Sequence, residues 1–256
     1  MIILTKKNRI HKFLLTETWY CIIIQLSFNT NEKKKVSALS IRLEVWGEYG
    51  LFSRPELAVE RVSYDLITPS AARGIMESIF WHPGLRYVID RIYMLGSIQY
   101  ANIRRNEVKS KILSSKVKSA ILNNASDDLY INTKEDIVQR AALVLKNPHY
   151  VIESHFEITD KANATDNPGK FQDIIKRRIK KGQCFHTPYF GCREFPVKYR
   201  LYDFDEVPTV YDVVEKDLGL MLYDFDYSDP NNITPMFFRA KLEKGVLDLR
   251  NCEVLR

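Results

Sequence analysis

Two residue periods stand close together in the second half of this chain, and they constrain its fold more than any other feature. HYVIESHFEIT alternates, placing Tyr150, Ile152, Ser154, Phe156 and Ile158 on one face. A period of two is the mark of a half-buried strand. Shortly after it, GKFQDIIKRRIKKG gathers Phe171, Ile174, Ile175 and Ile179 on one side and Lys176, Arg177, Lys180 and Lys181 on the other. That is an amphipathic helix, and Gly182 supplies its stop. A strand feeding a helix points to an α+β fold.

The same pairing occurs upstream. SIRLEVWGEYGLF alternates at Ile41, Leu43 and Val45. Thr68 and Pro69 fit the N-cap and first position of a helix. This helix runs through ARGIMESIFW, shares Ile75, Ile79 and Phe80 on a face, and stops before Pro83. GLRYVIDRIYML alternates at Leu85, Tyr87 and Ile89 as a second strand. ANIRRNEVKSKI extends that strand or opens a hairpin arm. Residues 107–146 are mixed, and KEDIVQRAALVLK reads as helix or as strand. After the basic helix, a loop with His and Tyr enters a Gly-Cys-Arg-Glu strand. Further strands are expected near 188–202, 220–228, 235–242 and 246–249.

The order strand, helix, strand, strand, helix, strand makes a ferredoxin-like unit. RNA-recognition modules share this core and meet nucleic acid with an open sheet. The expected division is an N-terminal extension over 1–38, a ferredoxin-like domain over 39–200 and a C-terminal antiparallel β-sheet domain over 201–256.

Charge adds a direction. The net charge of the 256 residues is +6, but residues 161–200 carry 10 Lys/Arg against 3 Asp/Glu, and residues 201–230 carry 1 against 9. Such polarisation gives one basic face, suited to a polyanion. Cys21, Cys184, Cys192 and Cys252 form no CxxC pair and no zinc-ligand spacing. Free thiols in a reducing cytoplasm are the simplest reading. KKNRIHK followed by FLLTETWYCIIIQLSF has the outline of a signal peptide, but Thr16, Glu17 and Thr18 interrupt it and no small-residue cleavage site follows. It is too short and polar for a secure membrane span.

Several groups carry candidate chemistry. Lys170 follows a Gly at a helix start, where an ammonium can stabilise charge on a scissile phosphate. The alternative is a solvated lysine. Lys176, Arg177, Lys180 and Lys181 can track a phosphate backbone, joined by a second basic run of Arg104, Arg105, Lys109 and Lys111 and by Arg193. His186 and Tyr189 lie on the loop after the helix and can move protons. His149 and His155 share a strand face, a possible ligand pair for which no carboxylate has suitable spacing. YDFDE at 202–206 and YDFDY at 223–227 can hold a divalent cation, or be two strands with their acids in water. No GxxxxGK[ST] or GxGxxG motif is present, which argues against nucleotide hydrolysis and dehydrogenase chemistry.

YDLITPSAARGIMESIFWHPGLRYVIDRIYML is more specific. With RRNEVKSKI, HYVIESHFEI, NPGKF, YFGCREF and LGLMLYDFDY in order, it resembles the Cas-five family of CRISPR-associated proteins, in the type I-C branch that processes precursor CRISPR RNA. The resemblance covers about residues 40–250. It implies a repeat-associated mystery protein (RAMP) fold with a C-terminal β-sheet domain. It implies cleavage of the repeat hairpin without metal or other cofactor, by 2′-hydroxyl attack that leaves a 2′,3′-cyclic phosphate. It also implies retention with the other subunits of the type I-C surveillance complex, and no membrane partner. Nonspecific duplex DNA binding is compatible with the basic surface.

The family's catalytic trio is a tyrosine in the first helix and a Lys-His pair before the second. Lys170 matches the lysine. Phe80 stands at the tyrosine position and Phe171 at the histidine position. The resemblance therefore leaves Tyr64, His82, His186 and Tyr189 as candidates for the missing proton-transfer roles, with Tyr64 or His186 favoured. The alternative is a catalytically weak subunit that holds the RNA 5′ handle.

Overall fold

The computed structural model describes residues 40–57, 59–125, 129–211 and 215–256. The expected N-terminal extension over 1–38 and Cys21 lie outside the described residues. The strands are β1 (Ile41–Trp46), β2 (Tyr49–Gly50), β3 (Arg61–Val62), β4 (Leu85–Met94), β5 (Tyr100–Val108), β6 (Ile137–Lys146), β7 (His149–Ile158), β8 (Lys198–Leu201), β9 (Glu215–Asp226), β10 (Thr234–Glu243), β11 (Val246–Asp248) and β12 (Val254–Leu255). The helices are α1 (Pro69–Ile79), α2 (Ser114–Leu122) and α3 (Pro168–Lys180).

Among the described residues, eight strands form one sheet. Its path is β12-β10-β11-β4-β7-β1-β8, with β9 on β10. β7 lies between β1 and β4, antiparallel to both, and β8 lies antiparallel on the outside of β1. The expected faces are buried at Ile41, Leu43 and Val45 of β1 and at Tyr150, Ile152 and Phe156 of β7, but Ile158 at the end of β7 is exposed, and Glu44 and Val151 on the opposite face are buried as well, so these strands are more than half-buried.

α1 starts where the sequence says it should. Thr68 Oγ1 accepts the Ala71 N–H at 3.3 Å, and Pro69 follows it. Ala72, Ile75, Met76 and Ile79 are buried, and the helix ends when Phe80 turns extended. α3 starts one residue before Gly169. Asn167 Oδ1 accepts the Lys170 N–H at 2.9 Å, and Pro168 takes the first turn. Phe171, Ile175 and Ile179 recur every four positions and are buried. Each such side chain stabilises the fold by about 1.5–3 kcal/mol. Gly182 follows with φ +62.

A second sheet takes β6 as its centre, with β2, β3 and β5 beside it. β5 pairs antiparallel with β6 from Tyr100↔Leu145 to Val108↔Ile137, so ANIRRNEVKSKI is a hairpin arm and KEDIVQRAALVLK ends as strand. α2 lies between the two arms and buries none of its residues.

Three expectations change. The strand near 188–202 contracts to Lys198–Leu201, and Gly-Cys-Arg-Glu is a turn. Gly191 takes φ +75, and a Cβ there would strike the Leu51 carbonyl oxygen, so an extended strand does not fit. YDFDE is an exposed loop rather than a strand. The sheet face opposite the helices is not open. After β8, Tyr202 N–H donates to Arg42 O on β1, and Val210 N–H reaches Met94 O on β4. Between these anchors Arg42 Nη1 donates to the carbonyls of Phe204 and Asp205. The segment 202–211 is thus a strap across that face.

Candidate active site

The region around Lys170 is built by two interlocked turns. Thr159 N–H donates to Gly84 O at 3.0 Å, and Thr159 Oγ1 donates to Pro83 O at 2.8 Å. Gly84 is needed here, because a Cβ would stand 2.6 Å from Ala162 Cα. This contact sets the His82–Gly84 turn beside the residues that lead into α3.

Lys170 Nζ then meets Asp166 Oδ1 at 2.9 Å. Asp166 Oδ2 accepts the Asn163 N–H at 2.9 Å and faces His82 Nε2 at 3.8 Å. The hydrogen bond from Lys170, followed by that from Asn163, holds the Asp166 carboxyl below its usual range. His82 leans on Phe171 with ring centroids 5.1 Å apart, and Phe80 and Phe156 complete an aromatic wall around Phe171. Arg178 closes its upper side: its guanidinium lies 5.3 Å over Phe80 and donates to Ile79 O.

The candidate proton-transfer groups separate. His82 stands beside Lys170. His186 is exposed on a loop whose backbone N–H bonds Ser78 O at the end of α1. Tyr64 does not join them. It is 1% exposed under the Arg54 guanidinium, and burial pushes its hydroxyl above the usual phenol range. Tyr189 is half-exposed next to Phe190, which packs against Gly47 beyond the end of β1. His82 precedes the opposite end of the sheet, where Leu85 pairs Ile158.

The basic residues form two groups. Arg177, Lys180 and Lys181 are exposed along α3, while Lys176 turns toward a cleft of about 300 Å³ shared with Arg42, Glu153, Tyr202 and Phe204. Lys180 stands 4.0 Å from Asp203 of the strap. Arg104 and Arg105 lie on β5, and Lys109 and Lys111 follow it. Arg105 pairs with Glu194 and stacks over Phe195, which brings the exposed Arg193 turn to the β5 side.

His149 and His155 do not converge, and each has a carboxylate that the spacing did not reveal. His149 Nε2 is 2.9 Å from Glu44, which Arg200 also holds at 2.6 Å. Burial pushes Glu44 up, but the hydrogen bonds from Arg200 and His149 outweigh it and hold it below the usual carboxylate range. His155 Nδ1 bonds Asp90, which the bulge between Ile89 and Arg91 turns toward it. Of the Asp-x-Asp strings, Asp224 is bound by Arg73 and Asp226 lies 3.6 Å from Arg256. Among the described residues, no three His, Cys, Asp or Glu side chains gather as a metal site. Cys184, Cys192 and Cys252 are free thiols, and no described helix is long and apolar enough to cross a membrane.

A family model described as CRISPR-associated protein (Cas_Cas5) matches residues 40–250. The chain belongs to the Cas5 family of CRISPR-associated proteins. A Mannheimia succiniciproducens protein named CRISPR pre-crRNA endoribonuclease Cas5d is 48% identical over 213 residues. The match covers 82% of this chain and 94% of that protein. A protein of the same name from Thermus thermophilus is 37% identical over 226 residues, covering 82% and 90%. The solved structure "Crystal Structure of CRISPR-associated Protein" superposes with a TM-score of 0.62 at 21% identity. It covers 85% of this chain and 96% of that one, a likeness of fold. The Cas5 match thus spans β1 through β11, with Lys170 and the strap inside it.

Proposed function

We propose that this Cas5 family member is an endoribonuclease that cuts precursor CRISPR RNA at its repeat hairpin. The observation that carries this reading is the 48% identity to a pre-crRNA endoribonuclease across 94% of that protein. Lys170 supplies the ammonium for charge that develops on the phosphate, at the N-terminus of α3 where anions are favoured. The 2′-hydroxyl attacks the adjacent phosphorus, the 5′-oxygen leaves, and no metal takes part. Arg177, Lys180 and Lys181 of α3 hold the RNA, and Arg104, Lys109, Lys111 and Arg193 extend the track. Duplex DNA can meet the same charges without sequence preference.

A ferredoxin-like reading of residues 39–200 is supported by the sheet order β8-β1-β7-β4 with α1 and α3 as crossovers. The long β9–β10 pairing supports a C-terminal β portion over 201–256. The protein works in the cytoplasm and remains with the RNA as a subunit of a type I-C surveillance complex.

A second reading, an RNA-holding subunit with little catalysis, is favoured by one observation. Phe80 and Phe171 pack against each other where the family trio has a tyrosine and a histidine, so neither position can transfer a proton. One assay separates the two readings. The protein is incubated with the repeat RNA of its own locus in EDTA. Cutting to a 2′,3′-cyclic phosphate is expected, whereas intact RNA after hours of tight binding leaves the second reading alone.

A further inference from the structure

Asp166 is almost fully covered, with 2% of its side chain exposed, yet the two groups at its sides reach solvent. Lys170 gives one of its N–H bonds to Oδ1 and keeps two. His82 is more informative. Its Nδ1 accepts the Gly84 N–H at 3.0 Å, so the proton of the neutral ring resides on Nε2. That Nε2 faces Asp166 Oδ2 at 3.8 Å, beyond hydrogen-bond length. Two N–H donors therefore flank one carboxylate, and both have bonds to give.

Their spacing is built into the backbone. His82 and Gly84 belong to one turn and Thr159–Ala162 to the other, the close approach of Gly84 to Ala162 locks the two together, and the Asn163–Asp166 turn follows directly. Asn163 fixes Asp166 within that turn, while Phe171 backs the His82 ring. The aromatic ring at 171 removes one polar group, but it walls another polar ring into place.

We propose that Lys170 Nζ and His82 Nε2 form a two-donor clamp for the scissile phosphate, with Asp166 as the positioning residue that aims both. This assignment rests on the nuclease reading above. As the 2′-oxygen bonds to phosphorus, negative charge grows on the non-bridging oxygens, and the two donors meet it. His82 donates through its Nε2 N–H and gives up no proton. Water takes the proton of the 2′-hydroxyl, and water supplies the one that the departing 5′-oxygen gains as its bond to phosphorus breaks. Each donor of this kind is worth about 10²–10³ in rate.

The test uses the full chain in single-turnover cleavage of its repeat RNA, with RNA affinity measured in parallel. His82→Phe is expected to slow cutting by about 10²–10³-fold. His82→Gln, which keeps an amide N–H near the Nε2 position, is expected to stay within about tenfold of wild type. Asp166→Asn is expected to cost about 10²-fold through misplaced donors, with affinity unchanged. On a Lys170→Ala background it should cost less than in the wild type, since only the aim of His82 is then left to lose. If Lys170→Ala is slow while His82→Phe and Asp166→Asn cut at the wild-type rate, the clamp is overturned and the nuclease reading stands. Equal loss in His82→Gln and His82→Phe overturns the donor role even if the Phe variant folds poorly. Wild-type protein that leaves the RNA whole overturns the nuclease reading itself.

Discussion

Arg73 on α1 holds Asp224 on β9 through two hydrogen bonds, 3.0 Å from Nε and 2.9 Å from Nη2. The pair joins the first helix to the C-terminal strands, and it turns half of an Asp-x-Asp string into a structural anchor. Asp224→Ala should destabilise the protein by about 1.5–3 kcal/mol, toward the lower end because Arg73 retains Glu77. Thermal unfolding should show a Tm lower by about 3–10 °C.

Lys170→Ala should slow repeat cleavage by about 10²–10³-fold. Repeat affinity should change little, because Lys170 is a single charge beside a longer basic face. Single-turnover rates and filter-binding constants measured on the same preparation separate the two effects. Equal losses in both would reduce Lys170 to an RNA-binding residue.

The α3 face should announce itself through salt. Replacing Arg177, Lys180 and Lys181 with Gln should make the dependence of log K on log salt shallower, by about 0.7–0.9 for each phosphate no longer neutralised. Arg105→Gln should matter less than Arg104→Gln, because Arg105 is already paired with Glu194. Repeat-RNA titrations across a series of KCl concentrations would reveal the ranking.

His155 predicts a pH dependence of stability. The hydrogen bond that its Nδ1 donates to the Asp90 carboxylate raises the pKa of the imidazole against the opposing effect of burial. The protonated form is therefore favoured in the folded protein. Its stabilisation is complete below the unfolded histidine pKa and is lost as pH rises through the raised folded value. His155→Gln should lower Tm more near about pH 5.5 than near about pH 8.5. A constant Tm difference would show that the pair does not titrate.

Gly191 should tolerate no side chain. Its φ of +75 and its approach to Leu51 both oppose a Cβ. Gly191→Ala should cost about 2–4 kcal/mol, visible in the denaturant midpoint. A stability equal to wild type would mean that the YFGCREF turn can relax away from Leu51.

Much of the scaffold was legible because its signals are local. The alternation of β7, the Thr68 cap and the apolar stripe of α3 each depend on neighbouring residues alone, and each appears where the sequence placed it. β6 was ambiguous because Ala141, Ala142 and Leu143 suit a helix; its strand state comes from β5 on one edge and from β2 and β3 on the other. α2 had no capping side chain and no buried stripe to announce it. At the candidate site, the Asp166 to Lys170 spacing was present in the sequence, but the approach of His82 depends on Gly84 meeting Ala162 across a turn. The partners of His149 and His155 come from adjacent strands, one through a bulge, and neither has a signature along the chain. The strap over the sheet face was hidden for the same reason, since its anchors are Arg42 and Met94.

The pairing of β11 with β4 has a consequence for how the chain is made. Tyr93 waits for Val246, and Ile92 for Leu247. During synthesis β4 and β7 can pair as soon as residue 158 has left the ribosome, but the Arg91–Tyr93 edge of β4 stays bare until residues 246–248 have emerged. Bare edges recruit strands from other molecules, and late long-range pairing slows folding. A chain stalled before β11 would carry the candidate site around Lys170 nearly complete while presenting an adhesive edge. Premature termination would then be met first as aggregation, and only afterwards as lost RNA cutting.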